Sequence, residues 1–334
     1  MYIHLPACVY FCNMLFSHSV FFSVVVPVYN RPGEVNELLA SLAKQTYQDF
    51  EVIIIEDGST HTSKSVVDRW KEKLEIQYIS KENSGPGPSR NVGFANMKGH
   101  YAVVFDSDCE IPPHYLAHVK EKLNEKPFDA WGGPDRADQH FSVLQKAMAY
   151  TMAAFLTTGG IRGGKKHIGK FQPRSFNMGL SKKVIEATQG FAFTRFAEDI
   201  ELSIRMEKSN FNVVLLENAF VYHKRRTTLS QFFKQVFNFG RGRVLVGKKH
   251  PGEIKLTHWI PAFFNLGCLL WLLSALVWPL LFYVGASLLS IYFLAIGIGA
   301  AITYSSVQVG LLAIPSAFIQ LTGYGFGFLK ERFK

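Results

Sequence analysis

Two aspartates, Asp106 and Asp108, follow the apolar run Tyr101–Phe105 one residue apart. Like charges that close repel, and each resists leaving water, so a buried strand has no structural use for the pair. An Asp-x-Asp at a strand end suits a hard divalent cation, Mg²⁺ or Mn²⁺. Such a cation takes oxygen ligands, keeps waters, and is commonly held by one or two carboxylates plus substrate phosphates. The pattern is frequent by chance, so its weight depends on its company. Asn30 follows the apolar run Phe21–Val28, and Asp57 follows the run Phe50–Ile55. Either alone reads as a turn or cap residue; three strand ends bearing acid or amide groups read together as a site. A second acidic pair, Glu198 and Asp199, opens a helical pattern, where the macrodipole alone would favour carboxylates.

The elements that must carry these residues alternate. Apolar β-rich runs at Phe21–Val28, Phe50–Ile55, Glu75–Ser80 and Tyr101–Phe105 are separated by helical patterns at Glu34–Gln45, Ser63–Lys73 and Pro88–Met97. That order implies βαβ units and a mainly parallel sheet covered on both faces, with ligands bound beyond the carboxyl ends of the strands. After Pro134 the pattern loosens. Residues 159–174 are rich in Gly and basic residues and read as a mobile loop facing an anionic ligand.

The chain has 334 residues, 48% hydrophobic and 19% charged, with net charge +10. This excludes a disordered chain and a uniformly membrane-like one. From Leu256 to Leu329 there is no Asp, Glu, Lys or Arg. At ~20 residues per crossing, that run holds more than one membrane span. Its expected pieces are Trp259–Tyr283, Leu288–Tyr304 and Val307–Leu329, kinked at Pro279 and Pro315. Between Val221 and Lys255 stand nine Lys or Arg and one acid, Glu253, a balance of +8. A basic block before an apolar tail fits the positive-inside rule and an anionic leaflet, and equally a phosphate-bearing substrate. Basic residues at both ends of the tail favour both ends in the cytosol and an even number of crossings, against three apolar pieces. No nucleic-acid-binding module accompanies the charge. Cys8, Cys12, Cys109 and Cys268 lack zinc-ligand spacing and read as free thiols in a reducing compartment. Residues 1–30 contain no Lys or Arg, so a secretory signal is not indicated, and Met14 reads as an alternative start.

Five stretches, in order, carry a resemblance: residues 24–31 (VVVPVYNR), 53–60 (IIIEDGST), 85–93 (GPGPSRNVG), 105–108 (FDSD) and 196–202 (FAEDIEL). Residues 20–245 resemble family 2 of the glycosyltransferases, inverting enzymes of GT-A fold, and the apolar tail is similar to that of membrane-bound members. The resemblance implies an α/β, Rossmann-like domain over 21–245. Around it would lie an ill-defined extension (1–20), a basic juxtamembrane linker (246–258), two or three transmembrane helices (259–329) and a basic tail (330–334). It implies a nucleotide-diphosphate sugar donor, a UDP-sugar in most members, and a divalent metal. The acceptor would be a glycan or lipid-linked hydroxyl, with the catalytic domain on the cytoplasmic side of the inner membrane. Pro27, Tyr29 and Asn30 would line the base and ribose side, Asp57 would hydrogen-bond the base, and Arg90 would contact the nucleotide. Asp106 would face ribose or sugar and share the metal with Asp108. Asp199, beside Glu198, would be the general base. His223 would be a third metal ligand or diphosphate contact, set against a purely structural histidine. Arg241 and Arg243 stand where processive members carry Gln-x-x-Arg-Trp; that motif is absent here, which favours transfer of a single sugar, and the arginines would clamp the diphosphate. The alternatives are a catalytically silent, nucleotide-binding membrane scaffold and a basic nucleic-acid-binding membrane protein.

Overall fold

A computed structural model describes residues 20–136, 141–158, 171–224 and 226–334. Cys8, Cys12, Met14, Arg225 and residues 159–170 of the expected basic loop lie outside the described residues. The chain divides into two compact units. One comprises residues up to Gly133 with Pro173–Gly190 and Arg205–Val221; the other comprises Pro134–Gln172, Phe191–Ile204 and Tyr222–Lys334.

The first unit is built on a seven-stranded sheet. Its strands are β1 (Phe22–Val28), β2 (Phe50–Asp57), β3 (Ile76–Lys81), β4 (Tyr101–Phe105), β5 (Ala130–Gly132), β6 (Asn177–Ser181) and β7 (Val213–Leu215), in the order β3-β2-β1-β4-β6-β5-β7. Strands β1 to β4 are mutually parallel, while β6 runs antiparallel to both its neighbours. The continuous apolar runs of β1 and β2 are buried on both faces, as parallel strands covered by helices must be. Helices α1 (Pro32–Leu42), α2 (Lys64–Trp70), α3 (Pro86–Asn96), α4 (Tyr115–Glu125) and α7 (Lys182–Thr188) belong to this unit. Val24, Val26, Val52, Ile54, Val103 and Phe105 share one core with Leu38 and Leu39 of α1 and Leu116 of α4. Val25 and Ile55, on the opposite face, meet α3 at Gly93. The strand order has a consequence for the site. The chain winds outward from β1 to β3, then returns to place β4 on the other side of β1, which makes a topological switch point at the carboxyl ends of β1 and β4.

The expected elements of this half are all present, with one informative shift. Strand β2 runs to Asp57 rather than Ile55, because Glu56 and Asp57 are both buried and hydrogen-bonded.

The second unit is helical. It contains α5 (Val143–Ala153), α6 (Phe155–Thr158), the start of α8 (Glu198–Lys208), α9 (Leu229–Lys249), and the long helices α10 (Ile260–Val277), α11 (Pro279–Tyr304) and α12 (Val307–Arg332). Helix α9 runs on through Lys249, into the first residues expected as linker. The break expected between Tyr283 and Leu288 falls instead at Trp278, with Pro279 opening α11. A proline in the first helical turn sacrifices no hydrogen bond, so Pro279 starts a helix where a kink was expected. Pro315 does lie inside α12. All three helices are long and apolar enough to cross a membrane. Leu270, Leu276, Leu280, Ile291 and Ile298 of α10 and α11 are exposed, a continuous apolar surface that water would not tolerate and hydrocarbon would. Helix α12 differs in being half buried. The basic tail residues Lys330 and Arg332 form its last turn, where cations favour the macrodipole.

Candidate active site

The polar residues of the first unit gather where the sheet topology predicts. Strand β4 ends at Phe105, and Asp106–Cys109 form a turn in which the Cys109 amide donates to the Asp106 carbonyl at 3.1 Å. This turn aims the two aspartates away from the strand. Each is met by an arginine from a different helix or loop. Arg90, on α3 and only 2% exposed, donates from Nη2 to Asp106 Oδ1 at 2.7 Å. Arg31, in the loop after β1, donates from Nη1 to Asp108 Oδ2 at 2.9 Å and to Glu34 Oε2 at 2.7 Å. Burial acts to lower the Arg31 pKa, yet the charges of Asp108 and Glu34 carry it above its ordinary value. Asp108 is itself 6% exposed, so its charge is compensated from within the fold. Arg31 thus bridges the carboxyl ends of β1 and β4 across the switch point.

The neighbouring loops are tied as firmly. Asn30 adopts φ 55°, a left-handed conformation open to Asn at modest cost, and its Oδ1 accepts from the His61 amide at 2.9 Å and Thr60 Oγ1 at 3.1 Å. Its own amide donates to Ser59 Oγ at 2.8 Å. Asn30 therefore holds the loop after β2 against the loop after β1. Glu56, fully buried, accepts from the Ser63 amide at 2.7 Å and Tyr78 OH at 3.0 Å, and from the Ser59 and Ser63 hydroxyls. Burial first, then the Glu56 charge, pushes the Tyr78 hydroxyl up to about 12. Asp57 accepts from the Ser84 and Gly85 amides at 2.9 and 2.8 Å and from Lys81 Nζ. Burial works to raise its pKa, but these donors, with Ser89, bring it below the ordinary carboxylate value. Pro27 lies in β1 and is half-buried, and Tyr29 beside it is 51% exposed.

A buried chain of hydrogen bonds steadies the β4 end from the other side. Trp131 Nε1 donates to Tyr115 OH at 3.1 Å, Tyr115 OH to Asn177 Oδ1 at 2.6 Å, and Asn177 Nδ2 to the Ala219 carbonyl at 2.8 Å. Asn177 stands opposite Phe105 in the antiparallel register, one residue before Asp106. A satisfied network of this kind fixes backbone position, since every alternative leaves a buried polar group unpaired.

In the second unit, Glu198 and Asp199 open α8 behind Ala197, whose φ is 55°. Glu198 is buried, and Asp199 Oδ1 accepts from the Ile200 amide at 2.8 Å. Helix α9 supports this turn. A Cβ on Gly242 would lie 2.9 Å from that of Ala197, and the Arg241 guanidinium sits 5.1 Å from the Phe196 ring centre. One turn further, buried Glu201 pairs with His250 Nε2 at 3.1 Å and Lys249 Nζ at 3.0 Å. Arg241 Nε is directed to Glu331 Oε2 at 2.9 Å, and the Arg243 charge acts on His258. His223 ends the short strand Val221–His223 and is half-buried.

Within the first unit, then, Asp106 with Arg90 and Asp108 are brought together, while Asn30 is engaged with the loop after β2 and Asp57 with the loop after β3. Four partners were not singled out from the sequence: Arg31, Lys81, Asn177 and Glu201. Arg31 lay within a motif, one residue before Pro32 at a helix start, but nothing local shows that it reaches a carboxylate 77 positions on.

Just over half of the chain, residues 23–196, matches the family description Glycosyl transferase family 2. The chain belongs to this family. The chain is 36% identical over 108 residues to the glycosyltransferase GlyA of Streptococcus pneumoniae serotype 4, covering 32% of this chain and 16% of that protein. It is 37% identical over 112 residues to the poly(ribitol-phosphate) beta-N-acetylglucosaminyltransferase TarS of Staphylococcus aureus, covering 32% and 20%. The matched stretches thus span a small part of these relatives' lengths. Among solved structures, the Pyrobaculum calidifontis mannosyltransferase PcManGT, in complex with GDP-Man and Mn²⁺, is similar with a TM-score of 0.61 at 18% identity, covering 91% of this chain and 88% of that one. At that identity the likeness establishes the fold: a GT-A-like α/β domain of mostly parallel sheet, followed by three long apolar helices.

The donor chemistry at the β4 end fits a hard divalent cation. Asp106 and Asp108 offer carboxylate oxygens, whereas Cys109 is packed in the core with its Sγ 3.6 Å from the Phe176 carbonyl.

Proposed function

We propose that the protein is a membrane-anchored, inverting glycosyltransferase that moves one sugar from a nucleotide-diphosphate sugar to the hydroxyl of a lipid-linked or cell-surface glycan. The observation that carries this reading is the pair Asp106 and Asp108 at the β1/β4 switch point, each held by an arginine, in a chain of family 2. Asp108 and Asp106 would hold the divalent metal, with His223 as a further ligand. When bound, the metal would offset diphosphate charge and stabilise its departure. Pro27 and Tyr29 would flank the base, with the face supplied by exposed Tyr29, while Asn30 and Asp57 shape the loops around it. UDP is the expected nucleotide by family resemblance, and a GDP-linked donor, as bound by PcManGT, is the nearest competitor.

Asp199 would accept the proton of the acceptor hydroxyl as its oxygen attacks the anomeric carbon. The new glycosidic bond forms as the bond to the diphosphate breaks on the opposite face, so configuration inverts and the nucleoside diphosphate leaves with the bonding pair. Positive charge developing at the anomeric centre resembles that of glycoside hydrolysis, so a nearby carboxylate helps electrostatically as well. Arg241 and Arg243 would lend positive potential near the diphosphate, and the catalytic unit would face the cytoplasm beside the basic block.

The test is transfer or hydrolysis from a panel of UDP-, GDP- and other nucleotide sugars by the full chain in detergent, with divalent metal or with chelator. Asp199→Asn and Asp108→Ala run alongside, with lipid extracts as acceptor source. Metal-dependent release from one donor, lost in both variants, is expected. Nucleotide binding with no turnover of any donor, lipid acceptors included, would replace the enzyme with a nucleotide-binding scaffold.

A further inference from the structure

The segment Val143–Thr158 contains a single charged residue, Lys146, yet it precedes the apolar tail by a hundred positions and reads as part of the catalytic region. Its surroundings in the second unit are not those of a soluble surface helix. Helix α5 begins with a full capping box, in which Ser142 and Gln145 satisfy each other's backbone amides. Its Ala147 packs with Ile296 and Ala300 of α11 and with Val309, Ala313 and Ala317 of α12. Met148 and Met152 pack with Phe232 and Val236 of α9. The chain then follows α11 for most of two further turns. Tyr150 lies so close to Gly299 that a Cβ there would fall 2.1 Å from its hydroxyl. Further along, Tyr292 OH donates to the Leu156 carbonyl at 2.7 Å.

The position of Tyr292 sets the depth. It stands almost midway between Pro279 and Tyr304, so about 18 Å of α11 lie on either side at about 1.5 Å per residue. A hydrocarbon layer of about 30 Å centred anywhere near the middle of that helix contains Tyr292, and with it Leu156. A four-residue helix such as α6 cannot satisfy its own carbonyls, and in hydrocarbon no water will do so. The Tyr292 hydroxyl, otherwise an expensive group at that depth, supplies the missing donor. At the level of that bond Phe155 is 75% exposed and Leu156 48% exposed, and Ile291 and Ile298 of α11 are exposed as well. The polar half of α6, Thr157 and Thr158, turns its hydroxyls back on the Ala154 carbonyl at 3.0 Å.

We propose that α5 and α6 form a membrane-embedded element seated against α11, with Phe155 and Leu156 inserted among the acyl chains of the bilayer. The proposal rests on the reading of α11 as a membrane span. On it, residues 143–158 enter the bilayer from within the sequence of the catalytic region, and bilayer contact is not confined to the three C-terminal helices. Lys146 lies in the first turn of α5, where a long side chain can extend to the headgroups.

The experiment places a nitroxide spin label at Phe155→Cys, Leu156→Cys and, as reference, Ile291→Cys of α11. The full chain, with native cysteines replaced by serine, is reconstituted in phospholipid nanodiscs. Power saturation compares collision with molecular oxygen and with a water-soluble nickel chelate. Labels at 155 and 156 are expected to match 291, with oxygen collisions dominant and nickel collisions nearly lost. Nickel access at 155 and 156 with oxygen preference at 291 overturns the proposal alone. Nickel access at all three sites overturns the reading of α11 as a span. Protection from both reagents at 155 and 156, with dipolar broadening between labels, assigns the surface to a second copy and also overturns it.

Discussion

The two acidic clusters are held by different elements of the fold. At the end of β4, Asp106 and Asp108 are held by guanidinium groups, which keep their charge at any pH the protein meets. At the start of α8, Asp199 accepts from the Ile200 amide, and Glu201 one turn on pairs with His250 and Lys249. The strand-end pair is also framed by a sheet register and a closed hydrogen-bond chain, whereas the helix-end pair follows a left-handed alanine kept in place by the approach of α9 at Gly242. A group that receives a metal and a leaving diphosphate gains from permanent, rigid compensation.

This contrast is breakable, and the largest expected effect lies on the rigid side. Arg90→Ala removes the buried member of a pair whose carboxylate, Asp106, is 33% exposed, and is expected to cost roughly 2 kcal/mol of stability. Thermal unfolding in detergent would show a marked fall in midpoint, with Arg90→Lys recovering only part of it. Equal stability of Arg90→Ala and the parent would mean that the pair contributes no rigidity.

Next is Gly242→Val. Its Cβ would crowd Ala197, and overpacking of this kind costs about 1–3 kcal/mol. The displacement falls on the α8 start, so turnover should fall by more than nucleotide affinity, read as kcat against KM. A loss of nucleotide affinity instead would show that α9 supports the donor pocket and not the base.

Arg31→Ala removes the guanidinium bond to buried Asp108. The thermal midpoint is expected to fall in chelator, and added Mn²⁺ should raise it by more than in the parent, because the ion no longer competes with that guanidinium for the carboxylate. Identical Mn²⁺ shifts in both would argue that Asp108 is not a ligand.

The smallest effect concerns His258, whose pKa burial first, then Arg243 and Lys255, lower to about 4. Its Nδ1 accepts the Lys255 amide at 3.0 Å, a bond that needs the neutral ring. The folded pKa lies below the unfolded one, so between about pH 6.5 and 4 the unfolded chain binds the extra proton. This contribution to stability is complete above that window and is lost as pH falls through it. His258→Gln should flatten the pH dependence of the thermal midpoint there, and an unchanged slope would remove His258 as its source.

Much of the fold was legible locally. The apolar runs of β1, β2 and β4 and the helical spacing of Val35, Leu38, Leu39 and Leu42 appear where periodicity places them. Asp106 and Asp108 were legible because a charge pair ending an apolar run has no structural excuse. The misplaced break at Tyr283–Leu288 is equally instructive: within an uncharged run, hydropathy has no contrast to mark a turn, and Pro279 opens a helix as readily as it bends one.

By itself, then, the sequence determined the family motifs, the alternation of strands and helices, the strand-end acids and the presence of an apolar tail, all properties carried by neighbouring residues. Only the tertiary structure decided that Arg31 meets Asp108, that Asn30 is engaged with the loop after β2 and Asp57 with the loop after β3, that Asn177 braces the end of β4, and that α5 and α6 lie along α11. These are pairings across tens to more than a hundred positions. They are set by strand order and helix packing, and no local pattern of residue types encodes which distant partner will satisfy a buried charge or carbonyl.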